Sequence, residues 1–160
     1  MFSDGEIQGV IIKPLKKQTD ERGWLSELFR EDELDDYKTL MPAMSYISYT
    51  RPGVARGPHE HTQQTDYFCF IGPSDFKLFL WDNRKNSVTY RNKIVVEVGE
   101  ENPASVIIPE GVVHAYKNIG SCDGAVINFP NRLFMGACKK FPVDEIRHED
   151  DKNSPFKLDE

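Results

Sequence analysis

Three of the four histidines in this chain fall in two short motifs whose residue types could carry acid–base or metal chemistry. The first motif contains His59 and His61 and ends at Asp66, and the second places His114 just after a Pro-x-Gly turn. Because side chains alternate along a strand, His59 and His61 are expected to share one face. Histidine gains and loses a proton near neutral pH, and its neutral ring is a common metal ligand. The two motifs therefore predict one site, for a general base or for a metal.

The elements that position these motifs are predicted to be short β-strands. Ten runs are rich in β-branched or aromatic residues and are bounded by Gly, Pro, Asn or Asp, a pattern typical of an all-β sandwich or barrel. They are Ile7–Ile12, Trp24–Phe29, Met44–Tyr49, Asp66–Ile71, Phe76–Trp81, Ser87–Tyr90, Ile94–Val98, Ser105–Ile108, Val112–Tyr116 and Ala125–Phe129. Helical patterning is confined to 30–40 and to a short stretch at 144–149, too little for a parallel α/β sheet.

Length and charge narrow the class of protein further. The 160 residues, 39% of them hydrophobic, predict a single domain over 1–160, with 145–160 as a C-terminal strap or tail. The net charge of −6 argues against a general affinity for nucleic acid or for an anionic membrane, so any anionic ligand must be held by individual arginines. No apolar run reaches the roughly 20 residues of a membrane span. We therefore expect a cytoplasmic protein.

The spacing of the two histidine motifs resembles that of the cupin superfamily. The pattern is G-x5-H-x-H-x4-acid from Gly53 to Asp66, followed by P-x-G-x2-H-x3-N from Pro109 to Asn118. The resemblance implies a cupin-like jelly-roll β-barrel in which the two motif strands face each other. It is fairly specific because two separated motifs keep their internal spacing.

A narrower resemblance, to dTDP-4-dehydrorhamnose 3,5-epimerases, covers most of the chain. Four segments occur in the family's order: Asp20-Glu-Arg22-Gly23 followed by an aromatic residue and Glu27, Val54-Ala-Arg56-Gly-Pro-His59, Trp81-Asp82-Asn-Arg84-Lys-Asn-Ser87, and Ile108-Pro-Glu-Gly-Val-Val-His114-Ala-Tyr. The resemblance implies an isomerase that acts on a nucleotide-linked 4-keto-6-deoxy sugar without a metal or other cofactor. It also implies a homodimer whose N-terminal strands exchange.

The same resemblance assigns roles to individual residues. His59 is expected to remove the proton next to the ketone, and Asp151, near the C-terminus, is expected to orient it. The predicted substrate-binding residues are Arg22 and Arg56 for the diphosphate, and Glu27 and His114 for the sugar. Arginine suits a pyrophosphate because its planar fork donates two parallel hydrogen bonds.

Two departures from the family pattern leave the mechanism open. Asp66 stands where the family has a lysine, and Asn128 stands where it has the tyrosine that returns a proton from the opposite face. The candidate replacements for that donor are Tyr46, Tyr49, Tyr67 and Tyr116. A second interpretation is a metal-dependent cupin enzyme with His59, His61, Asp66 and His114 as ligands. A third is a non-catalytic module that binds a nucleotide sugar.

Overall fold

The computed structural model describes residues 1–33 and 40–158, which form thirteen β-strands and two short 3₁₀ turns. The strands are β1 (Ser3–Asp4), β2 (Ile11–Pro14), β3 (Gln18–Asp20), β4 (Gly23–Leu25), β5 (Tyr46–Thr50), β6 (Ala55–Glu60), β7 (Asp66–Phe70), β8 (Asp75–Asp82), β9 (Asn92–Gly99), β10 (Ala104–Ile108), β11 (Val112–Asn118), β12 (Gly124–Asn128) and β13 (Ile146–Arg147). The 3₁₀ turns are Glu31–Glu33 and Ala137–Lys139. The predicted all-β fold class is confirmed.

Most strands belong to two sheets that pack face to face as a jelly-roll barrel. The six-stranded sheet has the order β1-β9-β8-β11-β6-β13, and the five-stranded sheet has the order β2-β10-β7-β12-β5. Strands β3 and β4 form a separate hairpin whose residues are all exposed. Each histidine motif therefore supplies a strand to the six-stranded sheet, in which β6 and β11 are antiparallel neighbours.

The main core lies between the sheets. It contains Phe68, Phe70 and Val106 from the five-stranded sheet and Phe76 and Leu78 from the six-stranded sheet, all of them buried. Burial of this apolar area is the main force that holds the sheets together.

A second apolar cluster covers the outer face of the six-stranded sheet. Phe79 and Trp81 of β8 pack there against Phe156 of the C-terminal segment. Strand β8 is therefore buried on both faces, which explains why its sequence is almost continuously apolar rather than alternating. The C-terminal segment, with β13 at the sheet edge, is packed against the barrel.

Several element predictions need correction. No strand forms over 87–90, where the hydroxyl groups of Ser87 and Thr89 donate to the Asp82 carboxylate and hold a turn. The helix predicted at 144–149 is wrong, because β13 pairs there with β6. In the predicted helix at 30–40, residues 31–33 form a 3₁₀ turn and 34–39 lie outside the described residues. No helix in the described part of the chain is long and apolar enough to cross a membrane.

Candidate active site

A cleft of about 1380 Å³ is lined by strands from both sheets. Tyr46 and Ser48 of β5 reach it from the five-stranded sheet, and Arg56 and His59 of β6 reach it from the six-stranded sheet. Its rim is completed by residues of the 130–149 region. The first histidine motif therefore opens into a space large enough for a substrate of nucleotide-sugar size.

Strand pairing brings the histidines of the two motifs together. His59 of β6 is the register partner of His114 of β11, and their ring centroids lie 4.5 Å apart at 85°. Gly57 lets the backbones of β6 and β11 come close here, because a Cβ at position 57 would lie 2.5 Å from the carbonyl oxygen of His114. His61 follows just after β6, and one ring nitrogen from each of the three residues lies within 4.8 Å of the others.

His59 has the environment of a general base. Its side chain is 17% exposed and lines the cleft, and its Nδ1 lies 3.8 Å from Oε1 of Glu149. Burial lowers the pKa of His59, and the neighbouring His61 adds to the effect, whereas the carboxylates of Glu145 and Glu149 oppose it. The imidazole is consequently neutral near pH 7 and able to accept a proton.

A buried ion pair lies beside His59. The Nε2 of His61 is 3.2 Å from Oδ2 of Asp66, and its Nδ1 donates to the carbonyl of Asp144. Burial alone would lower the pKa of His61, but the hydrogen bond and charge of Asp66 raise it to about 9. In Asp66 itself, burial opposes ionisation, and its contacts with His61 and His114 nonetheless lower its pKa. Asp66 is therefore a carboxylate neutralised by its neighbour.

His114 is buried beneath His59 and is held in one tautomer. Its Nδ1 donates to the carbonyl of Val112 at 3.1 Å, so the neutral ring carries a lone pair on Nε2. That Nε2 is buried, has no hydrogen-bond partner among the described residues and lies 3.4 Å from Oδ2 of Asp66. Burial, with the neighbouring His59, lowers the pKa of His114 to about 3.

Two side-chain amides that were not predicted as site residues hold Oδ1 of Asp66, the oxygen that faces away from His61 and His114. Gln64 and Asn128 donate to Asp66 Oδ1 at 2.9 and 2.8 Å. The Asn128 carbonyl accepts from the backbone amide of Tyr67, which fixes the orientation of the side chain, and its Nδ2 also donates to the hydroxyl oxygen of Tyr46 at 3.0 Å. Alternation along β5 is the sequence signal that places Tyr46 on the inner face of its strand.

The predicted diphosphate and sugar residues are only partly brought together. Arg56 lines the cleft, and its Nη2 donates to the carbonyl of Tyr49 at 2.8 Å. Arg22 lies in the β3–β4 hairpin with its side chain 84% exposed, paired with Asp20. Glu27 forms an ion pair with Arg30. Arg22, Glu27 and the buried His114 are not among the described residues that line the cleft.

The carboxylate in contact with His59 is Glu149 rather than the predicted Asp151, and the charge of Glu145 also acts on the ring. The backbone amides of His148 and Glu149 both donate to the carbonyl of Pro58, which holds Glu149 next to the base. Asp151 lies two residues further on, is exposed, and accepts a hydrogen bond from the Asn153 amide to close a turn. The sequence prediction placed the orienting acid in this C-terminal segment, and the acid of the segment that the structure brings next to His59 is Glu149.

Comparisons with known proteins identify the family and agree with this fold. The family model for dTDP-4-dehydrorhamnose 3,5-epimerase matches residues 4–126. A spore coat polysaccharide biosynthesis protein of Bacillus subtilis is 35% identical over 77% of this chain and 79% of its own length. A probable low-salt glycan biosynthesis epimerase of Haloferax volcanii is 36% identical over 80% of this chain and 81% of its own. The crystal structure of a dTDP sugar isomerase from Desulfovibrio desulfuricans superposes with a TM-score of 0.78 over 94% of this chain and 91% of that one, at 20% identity.

Proposed function

This chain belongs to the dTDP-4-dehydrorhamnose 3,5-epimerase family, and we propose that it epimerises or isomerises a nucleotide-linked 4-keto-6-deoxy sugar in a reaction initiated by His59. The observation that carries the proposal is the neutral imidazole of His59 at the wall of a large cleft, with the Glu149 carboxylate behind it. A proton next to a ketone is weakly acidic, and its removal needs a base in contact with it and a stabilised enolate.

The first step moves one proton and one electron pair. His59 takes the proton from the carbon next to the ketone, and the electrons of that C–H bond pass to the ketone oxygen as an enolate forms. The Glu149 carboxylate stabilises the imidazolium that results. A bare Asp66 carboxylate would repel the enolate. Here His61 neutralises Asp66 in an ion pair and carries a positive charge beside His59.

Binding of the diphosphate is assigned to arginines. Arg56 lies in the cleft beside His59, and its guanidinium can donate to phosphate oxygens. Arg22 lies on the β3–β4 hairpin with Trp24 and Leu25, whose side chains are exposed. A homodimer that exchanges these hairpins would cover the apolar side chains and carry Arg22, together with Glu27, to the partner's cleft.

Isotope exchange tests the proposed function directly. Incubation with a dTDP-4-keto-6-deoxy sugar in D₂O should place deuterium next to the ketone, as read by mass spectrometry, and His59→Asn should abolish it. Melting temperatures of the two proteins control for loss of fold. Wild-type protein that binds the nucleotide sugar without exchange would refute the proposal and favour the non-catalytic binding module.

A metal-dependent cupin reaction is the second candidate, favoured by the lone pair on His114. Its Nε2 faces Oδ2 of Asp66, and two acceptors at 3.4 Å repel unless a proton or a cation lies nearby. His61 and His114 also both direct Nδ1 at backbone carbonyls, the arrangement typical of metal-ligating histidines. His59, His61 and His114 therefore fit a divalent transition metal, with Asp66 in contact with two of them, and such a metal would act as a Lewis acid toward a substrate oxygen.

A further inference from the structure

Inversion needs a residue that returns a proton to the face of the sugar opposite His59. Asn128 cannot be that residue, because an amide is not an acid in water. Asn128 and Tyr46 are direct register partners on β12 and β5, and the Asn128 amide donates to the Tyr46 hydroxyl oxygen at 3.0 Å. We propose that the hydroxyl of Tyr46 is this proton donor. The inference rests on the proposed function and adds to it the catalytic acid.

The first argument is the direction from which Tyr46 approaches. His59 enters the cleft from β6 of the six-stranded sheet, whereas Tyr46 enters from β5 of the five-stranded sheet. A sugar ring held between the sheets would present one face to each residue. Inversion at a carbon requires that the proton leave on one face and return on the other, which this placement allows.

The second argument is the hydrogen bonding of the hydroxyl. The Asn128 carbonyl is occupied by the Tyr67 amide, so the Asn128 nitrogen must be the group that faces Tyr46. An amide nitrogen only donates, so the Tyr46 oxygen accepts and its own proton points elsewhere. The same donor stabilises the phenolate that remains once that proton has left. Burial and the charge of Asp66 raise the pKa of Tyr46, which keeps the hydroxyl protonated until the enolate forms.

The other candidate tyrosines are placed differently. Tyr49 lies on the opposite face of β5 and is 56% exposed. The Tyr67 hydroxyl donates to the carbonyl of Leu28 at 2.9 Å. Tyr116 also lines the cleft, but it is only 3% exposed within the main core, and its hydroxyl is 3.0 Å from the Ser48 hydroxyl. Tyr46 combines an inward position in the cleft with a donor on its oxygen.

The proton balance of the second step is complete. The enolate electrons re-form the ketone, the carbon takes the proton of the Tyr46 hydroxyl, and the O–H bonding pair stays on the phenolate oxygen. Tyr46 lines the open cleft, so the phenolate can regain a proton from water. The His59 imidazolium releases the proton it took to water in the cleft, and no oxidant or further reactant is needed.

The test separates inversion from exchange. Wild type, Tyr46→Phe and Tyr49→Phe are incubated in D₂O with a dTDP-4-keto-6-deoxy sugar, and the epimer and the deuterated starting sugar are quantified separately by NMR. We expect Tyr46→Phe to lower epimer formation at least roughly 100-fold while deuterium still enters the starting sugar through His59. Tyr49→Phe, on the same strand but facing outward, is expected to match the wild type in both measurements.

Each other outcome is decisive. Inversion at the wild-type rate in Tyr46→Phe overturns the assignment, as does equal loss of exchange and inversion in a protein with an unchanged melting temperature. Wild type that exchanges without inverting also overturns it, because no opposite-face donor then acts, although His59 remains the base. Wild type without exchange refutes the proposed function itself, and the donor assignment with it.

Discussion

The Asp82 carboxylate anchors the turn after β8, and we predict that Asp82→Asn lowers the free energy of unfolding by about 2 kcal/mol at pH 7. The side chain is fully buried, and it accepts hydrogen bonds from Arg84, Ser87 and Thr89, the hydroxyl contacts being 2.7 and 2.6 Å. Burial alone would raise the pKa of Asp82, but these hydrogen bonds lower it from 3.8 to about 2. That difference sets the predicted magnitude.

The sign of the pH dependence follows from the direction of this shift. The folded-state pKa lies below the unfolded-state value, so the stabilisation is complete above about pH 4 and is lost as the pH falls through about 2, with about half remaining near pH 3. Urea unfolding followed by tryptophan fluorescence should show the wild type losing its advantage over Asp82→Asn across this range. The exposed Asp4 offers a matched control, since Asp4→Asn should change stability by less than about 0.5 kcal/mol.

Either of two results would refute this reasoning. A loss below about 0.5 kcal/mol at pH 7 would mean that the hydrogen bonds to Asp82 contribute no more than an exposed ion pair does. An equal loss at pH 7 and near pH 3 would mean that Asn fails for reasons of packing rather than charge.

Three further predictions concern the site. Glu149→Gln should lower kcat roughly tenfold with KM little changed, whereas Asp151→Asn should leave both near wild type; the reverse result would restore Asp151 as the orienting acid. Arg56→Ala should raise KM for the nucleotide sugar roughly 10- to 100-fold with a smaller effect on kcat, and an unchanged KM would remove Arg56 from the diphosphate site. If the metal-dependent candidate holds, protein purified without added metal should carry near-stoichiometric transition metal that His61→Ala loses; metal below a tenth of stoichiometry would exclude that candidate in favour of His59 as a free base.

The histidine site was predictable because its information is local. Period-two alternation places His59 and His61 on one face of a strand, and the Pro-x-Gly turn starts the strand of His114 in a fixed register. Pairing of β6 with β11 then brings two of the rings together. Most strand predictions succeeded for the same reason, although Trp24–Phe29 is a strand only as far as Leu25 and Ile7–Ile12 only from Ile11 onward.

The remainder depends on contacts that no local pattern encodes. Residues Ser87–Tyr90 have the composition of a strand. The Asp82 carboxylate nevertheless accepts hydrogen bonds from two of their hydroxyl groups, which stabilises a turn instead. The acidic stretch at 144–149 has helical composition. Two of its residues instead form β13, which pairs with the edge of β6. The acid beside His59 was misplaced by two residues because its position is set by hydrogen bonds to Pro58, far away in sequence.

The docking of the C-terminal segment has a consequence for how the protein responds to heat. Glu149 is held at His59 by the two-residue strand β13 and by two amides that share the carbonyl of Pro58. So short an element can open locally at a free-energy cost well below that of unfolding the barrel. Opening would move the Glu149 carboxylate away from His59 while both sheets stayed intact. We therefore expect thermal inactivation to begin at this edge of the six-stranded sheet, below the temperature at which the core melts.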